Sequence, residues 1–145
     1  MDTSFFFPYR RLLKQFLIEI AKKEGKKVDL LQYIFCSDEY LKKLNKRYLK
    51  HNSYTDIITF PFSSTTEPIL ADAYISTDRV RDNATHYQTS FERELHRVVF
   101  HGLLHLCGYS DNTCDDARLI REKEDDFINK FLFHVKQLKA HPDVN

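Results

Sequence analysis

Tyr9, Leu12, Leu13, Phe16, Leu17 and Ile20 recur at three- and four-residue intervals behind Pro8, the pattern of an amphipathic helix that Gly25 ends. Leu30 to Cys36 is short, apolar and partly β-branched, and reads as a strand. Ser37 is placed to cap a second helix over Tyr40 to Leu49. The run from Tyr54 to Phe62 is the clearest strand, with Pro61 near its end. A polar turn from Ser63 to Pro68 joins it to a strand over Ile69 to Ser76, which predicts a hairpin. Thr77 caps a short helix towards Tyr87, and Thr89 with Glu92 forms a capping box for the next. In that helix Phe91, Leu95, Val98, Val99 and Leu106 make an apolar stripe that packs on the sheet. Thr113 with Asp116 opens a last helix through about Leu138, and 140–145 form a frayed tail.

These elements predict one α+β domain over 1–145, a small mixed β-sheet packed with about five helices. The composition agrees: 42% hydrophobic and 30% charged residues, with only three Gly and four Pro, leave little room for disorder. Twelve Phe and eight Tyr without Trp predict an aromatic core. Cys36, Cys107 and Cys114 are odd in number and sit in no paired spacing, which suits a reducing compartment. With no signal-peptide pattern and no membrane-spanning apolar run, the expected location is the cytoplasm.

Candidate chemistry concentrates at the end of the central helix. His101 and His105 are one turn apart on a face distinct from the apolar stripe, Gly108 follows, and Asp111 lies three residues beyond. Imidazoles at that spacing share a helix face and can converge on one Zn²⁺. A left-handed glycine would turn the chain back and bring Asp111 over the same ion. Three protein ligands leave a fourth position for water, the arrangement of a catalytic site. The blander reading is a pair of hydrogen-bonded histidines with Asp111 capping the last helix, but Thr113 is better placed as that cap. Cys114, Asp115 and Asp116 are reserve third ligands, whereas His96 and Cys107 fall off the ligand face. Gly102 in mid-helix costs roughly 1 kcal/mol against Ala, so it marks a close approach or space kept beside the ion. It also stands where zinc peptidases with this histidine spacing carry a glutamate base, which disfavours that chemistry.

Read with its surroundings, the segment His101-Gly102-Leu103-Leu104-His105-Leu106-Cys107-Gly108-Tyr109 resembles the signature of the YbeY family of metal-dependent endoribonucleases. Asn45, Tyr48 and the stretch Thr55 to Phe62 resemble a second family segment, Asp72 to Ser76 a third, and Glu94 to Arg97 a fourth, all in the family's order. The resemblance implies a Zn²⁺-dependent endoribonuclease acting on single-stranded RNA during ribosomal RNA maturation, with one ion per chain. Ribosomal RNA and the small ribosomal subunit or its assembly factors are the implied partners.

Two positions depart from the pattern. Asp111 stands where the family usually has a third histidine, and Leu49 where it has an arginine expected to hold phosphate. Arg47 and Lys50 are the nearby cations that could substitute. Lys42, Lys43, Lys46, Arg47, Lys50 and His51, interleaved with Tyr48 and Tyr54, form a basic and aromatic run suited to RNA or, more plainly, a solvated helix face. Lys22, Lys23, Lys26 and Lys27 read as a solvated helix end, and the net charge of +1 gives no global attraction to nucleic acid. A metallopeptidase-like hydrolase and a ribosome-assembly factor that cuts no bond are the competing functions. Exchanging a histidine ligand for aspartate lowers the charge of the site by one, which raises the pH at which bound water ionises. Asp111→His should therefore shift the pH–rate profile of any hydrolysis to lower pH, and coincident profiles would refute this.

Overall fold

The computed structural model describes residue 7, residues 9–48 and residues 55–140. Helix α1 spans Arg10–Lys23, strand β1 Val28–Cys36 and helix α2 Asp38–Tyr48. Strands β2 (Ile57–Pro61) and β3 (Ile69–Ser76) follow, then helices α3 (Thr77–His86), α4 (Phe91–Leu106) and α5 (Cys114–Ala140). The three strands run in the order β1-β3-β2, β1 parallel and β2 antiparallel to β3. The hairpin and the mixed α+β architecture are as the sequence predicts. Strand β1 starts earlier than its apolar run, and β2 starts later than Tyr54, which lies outside the described residues together with Pro8, Leu49, Lys50 and His51. Helix α5 continues to Ala140, past Leu138 and into the first residue of the expected tail, whose remaining residues 141–145 lie outside the described residues.

Strand alternation sorts the sheet into two faces. Ile69, Ala71, Ala73 and Ile75 of β3 are buried beneath α4, with Tyr33 and Phe35 of β1 beside them. On the other face Cys36, Ile58, Phe60 and Tyr74 meet Leu41 and Leu44 of α2. Helix α4 is more deeply enclosed than one stripe implies. Val98, Val99, Phe100, Leu103 and Leu104 are all within 2% of full burial, because α1, α3, α5 and the sheet close round it. The His101 and His105 side stays partly open, as does the first turn, where Glu92 is exposed.

The capping expectations need correction at two helices. Ser76, not Thr77, caps α3, its hydroxyl accepting from the Arg79 N–H at 3.0 Å. Thr77 Oγ1 instead donates to the Cys36 carbonyl. Ser90, not Thr89, caps α4 and accepts from the Arg93 N–H at 3.0 Å. The reason is that Gln88 takes a left-handed conformation (φ 55°) and Thr89 N–H donates to the Ala84 carbonyl, so Thr89 is consumed in closing α3. Ser37 and Thr113 cap α2 and α5 as expected.

One core position carries a measurable cost. His96 is 1% exposed, packed against Phe7, Phe100 and Phe131, and neither ring nitrogen has a hydrogen-bond partner among the described residues. Burial, with Arg93 adding to it, pushes its pKa down from 6.5 to about 4. The unfolded chain thus takes up this proton first. Stability conferred by neutral His96 is complete above about pH 6.5 and is lost as pH falls towards 4, by roughly 3 kcal/mol. Urea titrations of the natural chain and His96→Leu from pH 7 to pH 4 should show the natural chain losing more stability, and parallel pH curves would refute this.

Candidate metal centre

Helix α4 ends in a turn that builds half of the site. Gly108 adopts φ 105°, its N–H donates to the His105 carbonyl, and the Tyr109 N–H donates to the Leu104 carbonyl. This is a Schellman closure, and a side chain at Gly108 would strain it. The reversal swings the Tyr109 carbonyl back over the helix, where His105 Nδ1 donates to it at 2.9 Å. The turn is held from outside as well: the Tyr109 hydroxyl donates to Glu24 at 2.6 Å, and Lys123 donates to the same carboxylate at 3.1 Å. With Nδ1 carrying the proton, His105 presents an unprotonated Nε2 to the cleft.

His101 is set the same way by a different group. Its Nδ1 donates to Glu124 of α5 at 2.6 Å, and the other Glu124 oxygen accepts from Arg97 at 2.9 Å. Arg97 also bonds Asp125 at 2.5 Å and lies 4.0 Å from Glu94. The two histidine Nε2 atoms consequently face each other at 2.8 Å, and Asp111 Oδ2 sits 3.8 and 3.9 Å from them. Among the described residues these three side chains are the group whose donor atoms all lie within 4.8 Å of one another.

Two nitrogen lone pairs aimed at each other at 2.8 Å repel unless a proton or a cation lies between them. Tetrahedral ligands on bonds of about 2.0–2.1 Å stand about 3.3 Å apart, between the short and the long edges of this triangle. Small side-chain rotations therefore fit the three donors to one ion, and the carboxylate and carbonyl behind the imidazoles are the partners such ligands require. In the metal-free chain, burial draws the His101 pKa down, but the hydrogen bond and charge of Glu124, with Asp56 and Asp111, outweigh it and the net shift is upward.

Beside the triangle lies a cavity of about 260 Å³. Asp56, Glu94, Asp111 and Glu124 line it against the guanidiniums of Arg97 and Arg121. Burial pushes the carboxyls of Asp56 and Glu94 up, opposed by His101 for the first and Arg97 for the second. This excess of carboxylates is a field that favours a divalent cation. A larger groove of about 680 Å³ between α1 and β1 is mostly apolar and holds no ligand cluster among the described residues.

The other candidates stand apart from the triangle. Cys114 is exposed, Asp115 has a 91% exposed side chain, and Asp116 accepts from Ser110. Gly102 answers to close approach: a Cβ there would lie 2.6 Å from Ile57 Cδ1 on β2. Arg47 is exposed at the end of α2 with its guanidinium 5.4 Å from the Tyr48 ring centroid, and it does not line the cavity. Glu124 and Arg121 were not singled out from the sequence, and Asp56 and Arg97 appeared only inside resembling segments. A signal for Glu124 existed: it interrupts the apolar face Ile120, Phe127, Ile128, Phe131 and Val135 at helical spacing.

Fold and cluster together define an α+β domain with a two-histidine, one-carboxylate metal-type centre at the mouth of its central helix. A sequence model of the family described as "Endoribonuclease YbeY" matches residues 4–132. The endoribonuclease YbeY of Flavobacterium johnsoniae is 43% identical over 136 residues, covering 94% of this chain and 96% of that protein. The one from Cytophaga hutchinsonii is 48% identical over 124 residues, 86% and 87% of the two chains. The solution structure of TM1509 from Thermotoga maritima has a TM-score of 0.63 at 29% identity, covering 90% of this chain and 87% of that one. The chain belongs to the endoribonuclease YbeY family.

Because Glu124 holds the proton on His101 Nδ1, Glu124→Gln should weaken divalent-metal affinity by about tenfold or more, measured by competition with a chromophoric chelator. Unchanged affinity in a folded variant would refute that role.

Proposed function

We propose that this chain is a metal-dependent endoribonuclease that cleaves single-stranded RNA in ribosomal RNA maturation, using one Zn²⁺ held by His101, His105 and Asp111. The observation that carries this reading is the facing pair of Nε2 atoms, each with its Nδ1 committed to a fixed acceptor. A bound ion of this kind supplies Lewis-acid charge to a phosphodiester and acidifies a water at its open position. The chain's own residues set that chemistry up. Glu124 and the Tyr109 carbonyl hold the two histidine protons on Nδ1, and Asp111 contributes the anionic donor. The deep setting of Glu94 and Glu124, each about 5% exposed, keeps bulk water from the back of the site.

Gly102 bears on the substrate class. Its backbone packs against Ile57, so the position after the first histidine has neither a carboxylate nor room for one without repacking β2. A peptidase mechanism that depends on a glutamate there is therefore not supported. Three free thiols, and no described helix long and apolar enough to cross a membrane, are compatible with a cytoplasmic protein meeting ribosomal RNA, the small subunit or its assembly factors.

The test pairs an unstructured RNA with a peptide pool, each with and without chelator, alongside metal analysis of the purified chain. The expected result is about one Zn²⁺ per chain and RNA cleavage that chelator abolishes, with His105→Ala and Asp111→Ala slower by at least about 10²-fold. Peptide cleavage, or ribosome co-sedimentation in His105→Ala with no chelator-sensitive RNA cleavage by the natural chain, would overturn the reading.

A further inference from the structure

We infer that Arg121 of α5 and Tyr87 at the end of α3 form the RNA-holding wall of the cavity beside the metal triangle, the guanidinium gripping a backbone phosphate and the ring stacking under an adjoining base. This rests on the nuclease reading and names the residues that would hold the strand.

Of the two guanidiniums lining the cavity, Arg97 is already engaged. Glu124, Asp125 and Glu94 surround it, and its side chain is only 14% exposed. Its charge goes to fixing Glu124, and through Glu124 the His101 ring. Arg121 is exposed and makes no ion pair among the described residues. Its guanidinium instead lies 5.8 Å from the centroid of the Tyr87 ring. Tyr87 is 56% exposed and lines the same cavity as His101 and Asp111. A single exposed tyrosine is ordinary. One placed in a cavity beside the His101, His105 and Asp111 cluster, with an arginine over it whose charge reaches Glu94 but forms no ion pair within 4 Å among the described residues, offers the two contacts a nucleotide needs. The planar guanidinium forks onto phosphate oxygens, and every base has a face to stack on an aromatic ring.

Position supplies a second argument. The resemblance places a phosphate-holding arginine where this chain has Leu49. Arg47, the described cation nearest in sequence, is exposed beside Tyr48 and does not reach the cavity lining. Arg121 does line it, from a different helix. Among the described residues the cavity's free guanidinium therefore comes from α5, not from the basic last turn of α2.

The experiment measures binding of a fluorescein-labelled, unstructured RNA by anisotropy over a series of salt concentrations. Chelator is present throughout, so neither metal nor cleavage enters the signal. Arg121→Ala should bind about tenfold more weakly and lower the slope of log affinity against log salt by about 0.7, the value for one phosphate contact on a single strand. Arg121→Lys should recover the slope but only part of the affinity. Tyr87→Ala should weaken binding about tenfold with the slope unchanged, and Tyr87→Phe should bind as the natural chain does. Arg47→Ala should leave both quantities in place. Equal affinity and slope in the natural chain and Arg121→Ala, a loss confined to Arg47→Ala, or no binding by the natural chain would overturn the inference. Binding that depends on Arg121 in a chain that never cleaves RNA when loaded with Zn²⁺ would uphold the wall while refuting the nuclease reading.

Discussion

The hydrogen bond between Glu124 and His101 Nδ1, 2.6 Å long and 5% exposed on the carboxylate side, is the contact around which the site is organised. A carboxylate that deep is tolerable only when both oxygens are satisfied, and here Arg97 takes one and His101 the other. Both partners are on α4, so the pair fixes the rotation of the long last helix against the central one. Removing one member of such a buried ionic group costs on the order of 3–5 kcal/mol because the remaining charge is stranded. The same contact therefore serves packing and ligand preparation, and neither can be altered alone.

The second histidine depends on backbone rather than charge. Its acceptor is the Tyr109 carbonyl, which points at the ring because Gly108 can occupy φ 105° and the helix closes as a Schellman turn. Glu24 at the end of α1 and Lys123 on α5 then clamp Tyr109 from either side. Three helices thus converge on one peptide unit. The two imidazoles reach the same chemical state by separate routes, one through a buried ion pair and one through helix termination.

Much of this was legible in the chain. The histidine spacing, Gly108 and Asp111 put the clustering of these three potential donors within reach of a sequence argument, because all three belong to one helix and the turn that follows it. The hairpin and the helix α1 pattern were equally local. What escaped was long-range. Glu124 and Arg121 reach the site from α5, and Asp56 from the start of β2, and a single sequence does not state which helix face will meet which cavity. The enclosure of α4 goes beyond its apolar stripe for the same reason: Phe100 and Leu104 lie on another face, and only the surrounding helices explain their burial. The misplaced caps at Thr77 and Thr89 show a different limit. Adjacent hydroxyls compete for the same role, and the preceding helix's closure decides between them.

The closeness of the donors along the chain has a thermodynamic consequence. Were this cluster to hold an ion, the short span from His101 to Asp111 would cost little loop-closure entropy, so part of the grip would survive in the unfolded chain. Any such residual grip would subtract from the protection that an ion would give the native state. The gap between the two affinities then rests on the groups that arrive from afar, Glu124 above all. A tightly held metal in this architecture raises the melting temperature by less than its native-state affinity alone would suggest.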